Sequence, residues 1–403
     1  MLDWPTLMPI LDELAIFGGR PAFEQTLHVG RPNIGDRRKF SSRVDDILDR
    51  RWLTNDGPYV SEFEQRIIEL TGVKHCIVTC NATIALEIAI RALGLKGEVI
   101  VPSFTFIATA HALQWQEVTP VFCDIDPQTH TIDPQAIEPL INSRTSGILA
   151  VNLWGRHCDI AALEALARRH GLKLLFDSAH AFGCSYRGRT IGGFGDAEVF
   201  SFHATKFLNS MEGGAIVTNN DELAQQTRLM RNFGFTSYDQ VASLGINGKM
   251  SEVCAAMGLT NLESMDEFIA VNRGNYRQYA EELSGLNGVT LVANDETEKC
   301  NYQYVVLEID KDQTIVSRDE LMKVLYSEKV LARRYFYPGC HRMAPYNAQD
   351  LSLPETERIS ERVLSLPTGT SLSPADISTI CEIIRLVVNN GREVSEKLRA
   401  VAV

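Results

Sequence analysis

From about residue 72 the chain alternates short apolar runs with longer stretches of helical period, and this alternation limits the fold more than any other feature. The runs His75 to Thr79, Glu98 to Pro102, Pro120 to Asp124, Ser146 to Leu153 and Lys173 to Asp177 are rich in apolar and β-branched residues. Between them Asn81 to Leu93, Thr105 to Trp115, Pro134 to Ile141 and Ile160 to His170 carry helical spacing. Strands that are apolar on both faces need a layer of helices on each side, which predicts a mainly parallel sheet. Two further candidates, Glu198 to Phe202 and Ala215 to Thr218, lie close together, and their short linker points to an antiparallel pairing. Residues 42–265 therefore read as a large α/β domain. An N-terminal arm, 1–41, precedes it, with turn signals at Gly18 to Pro21 and Gly30 to Pro32. Residues 266–403 read as a smaller α+β domain. Around and within it lie a long helical pattern from Ser251 to Leu283, interrupted near Asn272 to Gly274, an extended run from Tyr302 to Ile309, and helices at Arg318 to Lys329 and Pro374 to Asn389.

Length agrees with that division, since 403 residues exceed one core at roughly 150 residues per domain. The chain has 39 Lys plus Arg against 51 Asp plus Glu, a formal charge of −12, and no basic tract. That argues against a nucleic-acid surface or an anionic-membrane anchor but leaves room for a local basic pocket that takes a phosphorylated small molecule. Nine scattered cysteines without a Cys-x-x-Cys pair argue against a disulfide framework and against a zinc ribbon. The first residues lack the basic-then-apolar order of a signal peptide, and no stretch approaches the roughly 18 apolar residues of a membrane span. A cytoplasmic protein with no metal is the expectation.

The chemistry collects in one segment. Asp177 closes an apolar strand, Lys206 follows the next strand candidate within thirty residues, and Gly213-Gly214 lies just beyond. In α/β sheets the carboxyl ends of the strands are where ligands bind, so both groups are expected at one sheet edge. A lysine there can form a Schiff base with an aldehyde, and an aspartate can pair with a protonated pyridine nitrogen. Pyridoxal phosphate requires both groups. Taken singly, Asp177 also reads as a cap, Lys206 as a solvated side chain and Phe106 as core.

On these motifs the sequence resembles the DegT/StrS-type sugar-nucleotide aminotransferases, which have the aspartate-aminotransferase-like fold and use pyridoxal phosphate. The resemblance runs through Leu53 to Pro58, Pro102 to Ala110, Asp124-Ile-Asp126, Asp177-Ser-Ala-His180, Ser201 to Lys206, Glu212-Gly-Gly214, Lys249 to Glu252 and Arg362 to Pro367. It implies that Lys206 holds the cofactor and shuttles the proton, while Asp177 keeps the pyridine nitrogen protonated. Phe106 then stacks on the ring and His180 lies beside it. Ala82, Thr83 and Ser201 hold the phosphate, although the family usually has Gly at the position of Ala82. Lys249 falls where many members place an Asn reaching the neighbouring subunit's phosphate, which implies a homodimer with shared sites. His203 reads as a structural histidine of the lysine loop. Arg333 and Arg334, with Tyr335, Tyr337 and His341, read either as a grip on the nucleotide diphosphate and sugar or as an exposed basic edge.

Two stretches bear on the substrate, Val151 to Arg156 and Arg333 to His341. They look most like those of enzymes that aminate dTDP-4-keto-6-deoxyglucose with L-glutamate, as in desosamine-type pathways. The alternatives are a 3-aminotransferase, a sugar dehydratase on the same fold, and a non-catalytic regulator. The dehydratase would carry His in place of Lys206, and the regulator would have lost Lys206 or Asp177.

Overall fold

The computed structural model describes residues 10–347 and 350–401. The first nine residues of the expected arm, and residues 348, 349, 402 and 403 of the expected small domain, lie outside the described residues. Seven described strands form one sheet in the order His75–Thr79, Gly214–Thr218, Ala197–Ser201, Lys173–Asp177, Thr145–Val151, Glu98–Pro102, Thr119–Cys123. Neighbours pair parallel throughout, except that Gly214–Thr218 runs antiparallel to both strands beside it. The antiparallel pairing expected for the two closely spaced runs is present, with Ala215 opposite Phe200 and Ile216 opposite Val199.

Alternation along each strand divides the core into two layers. Cys76, Val78, Ile100, Ile148, Leu174 and Phe176 point into one cluster, shared with helices Pro58–Thr71 and Ile160–His170. Ile77, Val99, Val101, Leu149 and Leu175 point into the other, shared with helices Ala82–Ala92 and Ile107–Trp115. Each fully buried Val, Leu or Ile contributes about 1.5–3 kcal/mol relative to exposure, so a strand buried on both faces is strongly fixed in register. Helix starts are written locally. Asn81 accepts the Ile84 N–H at 2.9 Å, Asp159 accepts the Ala162 N–H at 3.1 Å, and Pro58 and Pro374 open their helices.

A second, three-stranded antiparallel sheet, Val289–Leu291, Val305–Ile309 and Val363–Leu366, packs with helices Met265–Glu282, Arg318–Ser327 and Pro374–Asn389 around its own core. One expectation is corrected here. The helical pattern from Ser251 to Leu283 breaks after Leu262 and resumes at Met265, while Asn272 to Gly274 lies inside the continuous second helix. Asn272 lies within that helix, and its buried side-chain amide donates to the Asn301 carbonyl at 3.1 Å. A Cβ on Gly274 would meet nothing within 4 Å, so the glycine costs helix propensity, about 1 kcal/mol, without breaking the turn. No described helix is long and apolar enough to cross a membrane. All nine cysteines are free thiols.

Candidate active site

The carboxyl ends of the six mutually parallel strands come out at one edge of the large sheet, and a cavity of about 560 Å³ opens there. Asp177 enters it as the last residue of its strand. Lys206 enters from the turn that leaves Ala197–Ser201 and returns to Gly214, which is why a lysine twenty-nine positions later faces the same space. Asp177 is 6% exposed. Its Oδ2 accepts from Thr109 Oγ1 at 2.8 Å and its Oδ1 from the Ala179 N–H at 3.1 Å. It thus caps its own turn as well as facing the cavity. Burial raises its pKa above the ordinary carboxyl value, while the Thr109 and Ala179 bonds and the nearby Lys206 charge pull it back. For Lys206, burial lowers the amine to about 8 against the opposing pull of Asp177.

Also in the cavity lining, Ala82 and Thr83 are the first two residues of helix Ala82–Ala92, and Ser201 closes its strand. Unpaired N–H groups and the helix dipole make such a start an anion site. Gly214 permits the approach, since a Cβ there would stand 2.6 Å from the Ala82 nitrogen.

Phe106 lines the mouth and is 55% exposed, so taken singly as core it was misread; it caps helix Ile107–Trp115 with its ring outside the packed layer. His180 is buried with its ring 4.6 Å from that of Tyr304 and stacked at 6.1 Å on Phe336. Its Nδ1 accepts the Trp154 N–H at 3.3 Å, and its Nε2 lies 3.0 Å from the Tyr304 hydroxyl. Burial, then the Lys206 charge, push His180 well below the ordinary histidine pKa, so the ring is neutral and its proton sits on Nε2. That leaves the Tyr304 proton free to be donated into the cavity. Tyr304 was missed from sequence. It stands in the same extended run as Tyr302, at the same face parity, and nothing local separates the two. His203 also lines the cavity, with Nδ1 2.8 Å from Thr205 Oγ1 inside the lysine loop.

The basic aromatic segment divides. Arg333 lines the cavity, with its guanidinium 5.9 Å from the Tyr335 ring centre. Arg334 turns away to Asp319 at 3.3 Å and lies over Tyr337, which also carries Arg318 on its ring. Neither Arg334 nor Tyr337 lines the cavity. Expectation is corrected most clearly at His341, which is 2% exposed and held between Ser103 at 2.6 Å and Glu357 at 3.1 Å. A histidine with both ring nitrogens engaged inside the fold has none left for a ligand. Lys249 stands outside its own chain's cavity, 2.9 Å from Asn232 Oδ1 and over the Phe233 ring.

These residues fit the pyridoxal phosphate that the resemblance implies. A primary amine and a buried carboxylate share one cavity wall, and an open helix start lies where a phosphate would need N–H donors.

Comparison with known proteins agrees with the geometry. The sequence pattern of the DegT/DnrJ/EryC1/StrS aminotransferase family matches residues 35–385. A dTDP-4-amino-4,6-dideoxy-D-glucose transaminase of Shigella dysenteriae is 36% identical over 364 residues, covering 90% of this chain and 99% of that protein. A GDP-perosamine synthase of Vibrio cholerae is 32% identical over 379 residues, covering 92% and 99%. Among solved structures, DesI in the presence of its TDP-sugar product matches with a TM-score of 0.94 and 49% identity, over 96% of this chain and all of that one (100%).

Proposed function

The chain belongs to the DegT/DnrJ/EryC1/StrS aminotransferase family and is a pyridoxal-phosphate-dependent transaminase, and within that class we propose that it aminates dTDP-4-keto-6-deoxyglucose at the 4-keto carbon with L-glutamate as donor. The observation that carries this reading is the shared cavity of Lys206, Asp177 and Arg333 in a chain so similar to DesI.

When bound, the cofactor supplies an electron sink for the carbon that loses its proton. Asp177, held by Thr109 and Ala179, would face the pyridine nitrogen of the bound cofactor and keep a proton there. Lys206 carries the proton to and from the reacting carbon, and an amine at about 8 is well matched to that work near neutral pH. Ala82, Thr83 and Ser201, which line the cavity, would take the phosphate, and Phe106 would cover the ring. Neutral His180 holds the Tyr304 hydroxyl, which would then be available to the substituents of the bound ring. Arg333 takes the nucleotide diphosphate, the positive charge that a chain of net −12 must concentrate locally.

Lys249 reaches the partner subunit's phosphate in a homodimer with shared sites, a reading supported by its position outside its own cavity. The division into a large and a small domain at 265–266 belongs to the same proposal, supported by the two separate sheets, whereas the expected arm boundary at 41–42 falls inside helix Arg37–Arg50. The deciding experiment incubates protein with pyridoxal phosphate, glutamate and a panel of 3-keto and 4-keto dTDP- and GDP-sugars, and follows product mass. Amination of the dTDP-4-keto sugar alone is expected. Turnover confined to a 3-keto sugar or to a GDP-sugar would replace the proposal.

A further inference from the structure

Three buried asparagines join the N-terminal arm to the loop that carries Lys206. Asn33 and Asn209 are each 2% exposed and Asn261 is 0% exposed. Asn33 Nδ2 donates to the Phe207 carbonyl at 2.9 Å, while its Oδ1 accepts the Thr370 N–H at 2.9 Å and the Thr370 hydroxyl at 3.0 Å. The Asn33 carbonyl in turn accepts from Asn209 Nδ2 at 2.9 Å, and the Asn209 carbonyl from Asn261 Nδ2 at 2.7 Å. Asn261 Oδ1 closes the path by accepting the Gly35 N–H at 2.8 Å. The other side of Phe207 is held as well, its N–H donating to Gln303 Oε1 at 3.3 Å. Both peptide groups of the residue after Lys206 are therefore gripped by side chains, 174 and 96 positions away in the chain.

The residue before Lys206 is touched by the same arm. Gly30, at φ +75°, lies against Thr205, and a Cβ there would stand 2.8 Å from Thr205 Cβ. Apolar side chains would fill this interior without the desolvation cost of three amides, so what the amides add is direction. A carbonyl fixed at a set angle one residue beyond Lys206 sets where that lysine's Cα sits and how far its amine reaches.

We propose that Asn33 is a positioning residue for Lys206, holding the Phe207 carbonyl so that the amine's reach toward Asp177 is fixed. Through Thr370 it links that reach to the segment leading into helix Pro374–Asn389. The consequence for rate rests on the reading of Lys206 as the reacting amine. The clamp itself is read without substrate or cofactor, by hydrogen exchange.

Asn33→Asp keeps the shape and the acceptor for Thr370 but loses the donor to Phe207. Thr370→Val removes one of the two bonds to Oδ1 and leaves the Phe207 clamp in place. In Asn33→Asp the amides of residues 203–210 should exchange about tenfold faster, the factor expected from one lost buried hydrogen bond. Its kcat should fall about tenfold or more while KM for each substrate stays within about twofold, the pattern of a displaced reacting group. Thr370→Val should keep wild-type exchange and kcat. A folded Asn33→Asp with unchanged exchange overturns the clamp, and faster exchange with unchanged kcat overturns its role in positioning. A Thr370→Val loss equal to that of Asn33→Asp overturns the assignment to Phe207. Should Asn33→Asp not fold, Asn33→Leu takes its place, since it lacks the donor to Phe207 but buries no charge. Faster exchange of 203–210 with a fallen kcat is expected there too, and unchanged exchange overturns the clamp.

Discussion

At Lys206 the burial that lowers the amine to about 8 has a readable consequence. Only the neutral amine attacks an aldehyde, so below that pH the reactive fraction falls about tenfold per unit. Cofactor-free protein mixed with pyridoxal phosphate should therefore develop its visible absorbance at a rate that rises with pH and levels off above about 8. A rate still climbing at the free-lysine value of 10.5 would contradict the desolvated position of the amine. The same sign holds for stability. Between about 8 and 10.5 the unfolded chain binds more protons at this residue than the folded one, so its contribution improves as pH rises through that window. Asp177 tests charge apart from shape. Asp177→Asn keeps the size and an oxygen for Thr109 but no longer carries the charge that holds the pyridine proton. Turnover should fall at least about tenfold, since each 1.4 kcal/mol of lost electrostatic stabilisation is a factor of ten, while cofactor titration still shows binding. Near-wild-type turnover in that variant removes Asp177 from the mechanism.

Elements decide what single residues cannot. Arg333 and Arg334 are adjacent, and the Arg333 backbone bridges to Ser365, so successive side chains point to opposite faces. One lines the cavity and the other pairs with Asp319. Arg333→Ala should raise KM for the keto-sugar nucleotide about tenfold and leave the glutamate half-reaction within about twofold, because a charge-assisted bond to the diphosphate is lost and glutamate makes no such contact. Arg334→Ala should change neither. The two half-reactions, run separately on each variant, check this, and equal effects on both would move the diphosphate elsewhere. The approach of strand Gly214–Thr218 to helix Ala82–Ala92 makes a second prediction at this scale. Gly214→Ala forces a methyl to 2.6 Å from the Ala82 nitrogen and pushes the helix start back. Overpacking of this kind costs about 1–3 kcal/mol, so pyridoxal phosphate should bind roughly tenfold or more weakly in equilibrium titration. Unchanged affinity would mean that the phosphate does not use this helix start.

For the whole molecule, the arm, the large sheet and the C-terminal layer meet at one loop, and Lys249 does not line its own chain's cavity. If Lys249 completes the partner's phosphate site, the active unit is a two-fold dimer, and each site needs both chains. Dilution below the dimer dissociation constant should then lower activity and cofactor retention together, at the concentration where light scattering detects monomer. A fully active monomer leaves Lys249 without that role.

What the sequence determined by itself is what short-range chemistry determines. Short apolar runs without alternation and stretches of helical period placed the seven strands and their covering helices, because a strand buried on both faces has few other ways to be satisfied. Lys206 and Asp177 were legible for the same reason, as each follows directly from where a parallel strand ends. The tertiary structure decided everything that depends on distant partners. It chose Tyr304 over Tyr302 for the cavity and Arg333 over Arg334. It also moved His341 into a buried bridge to Ser103 and Glu357. Asn33 acquires its position only when an arm residue meets a carbonyl 174 places along the chain. No local pattern encodes such pairings, because their energy comes from surfaces that exist only once both layers have packed.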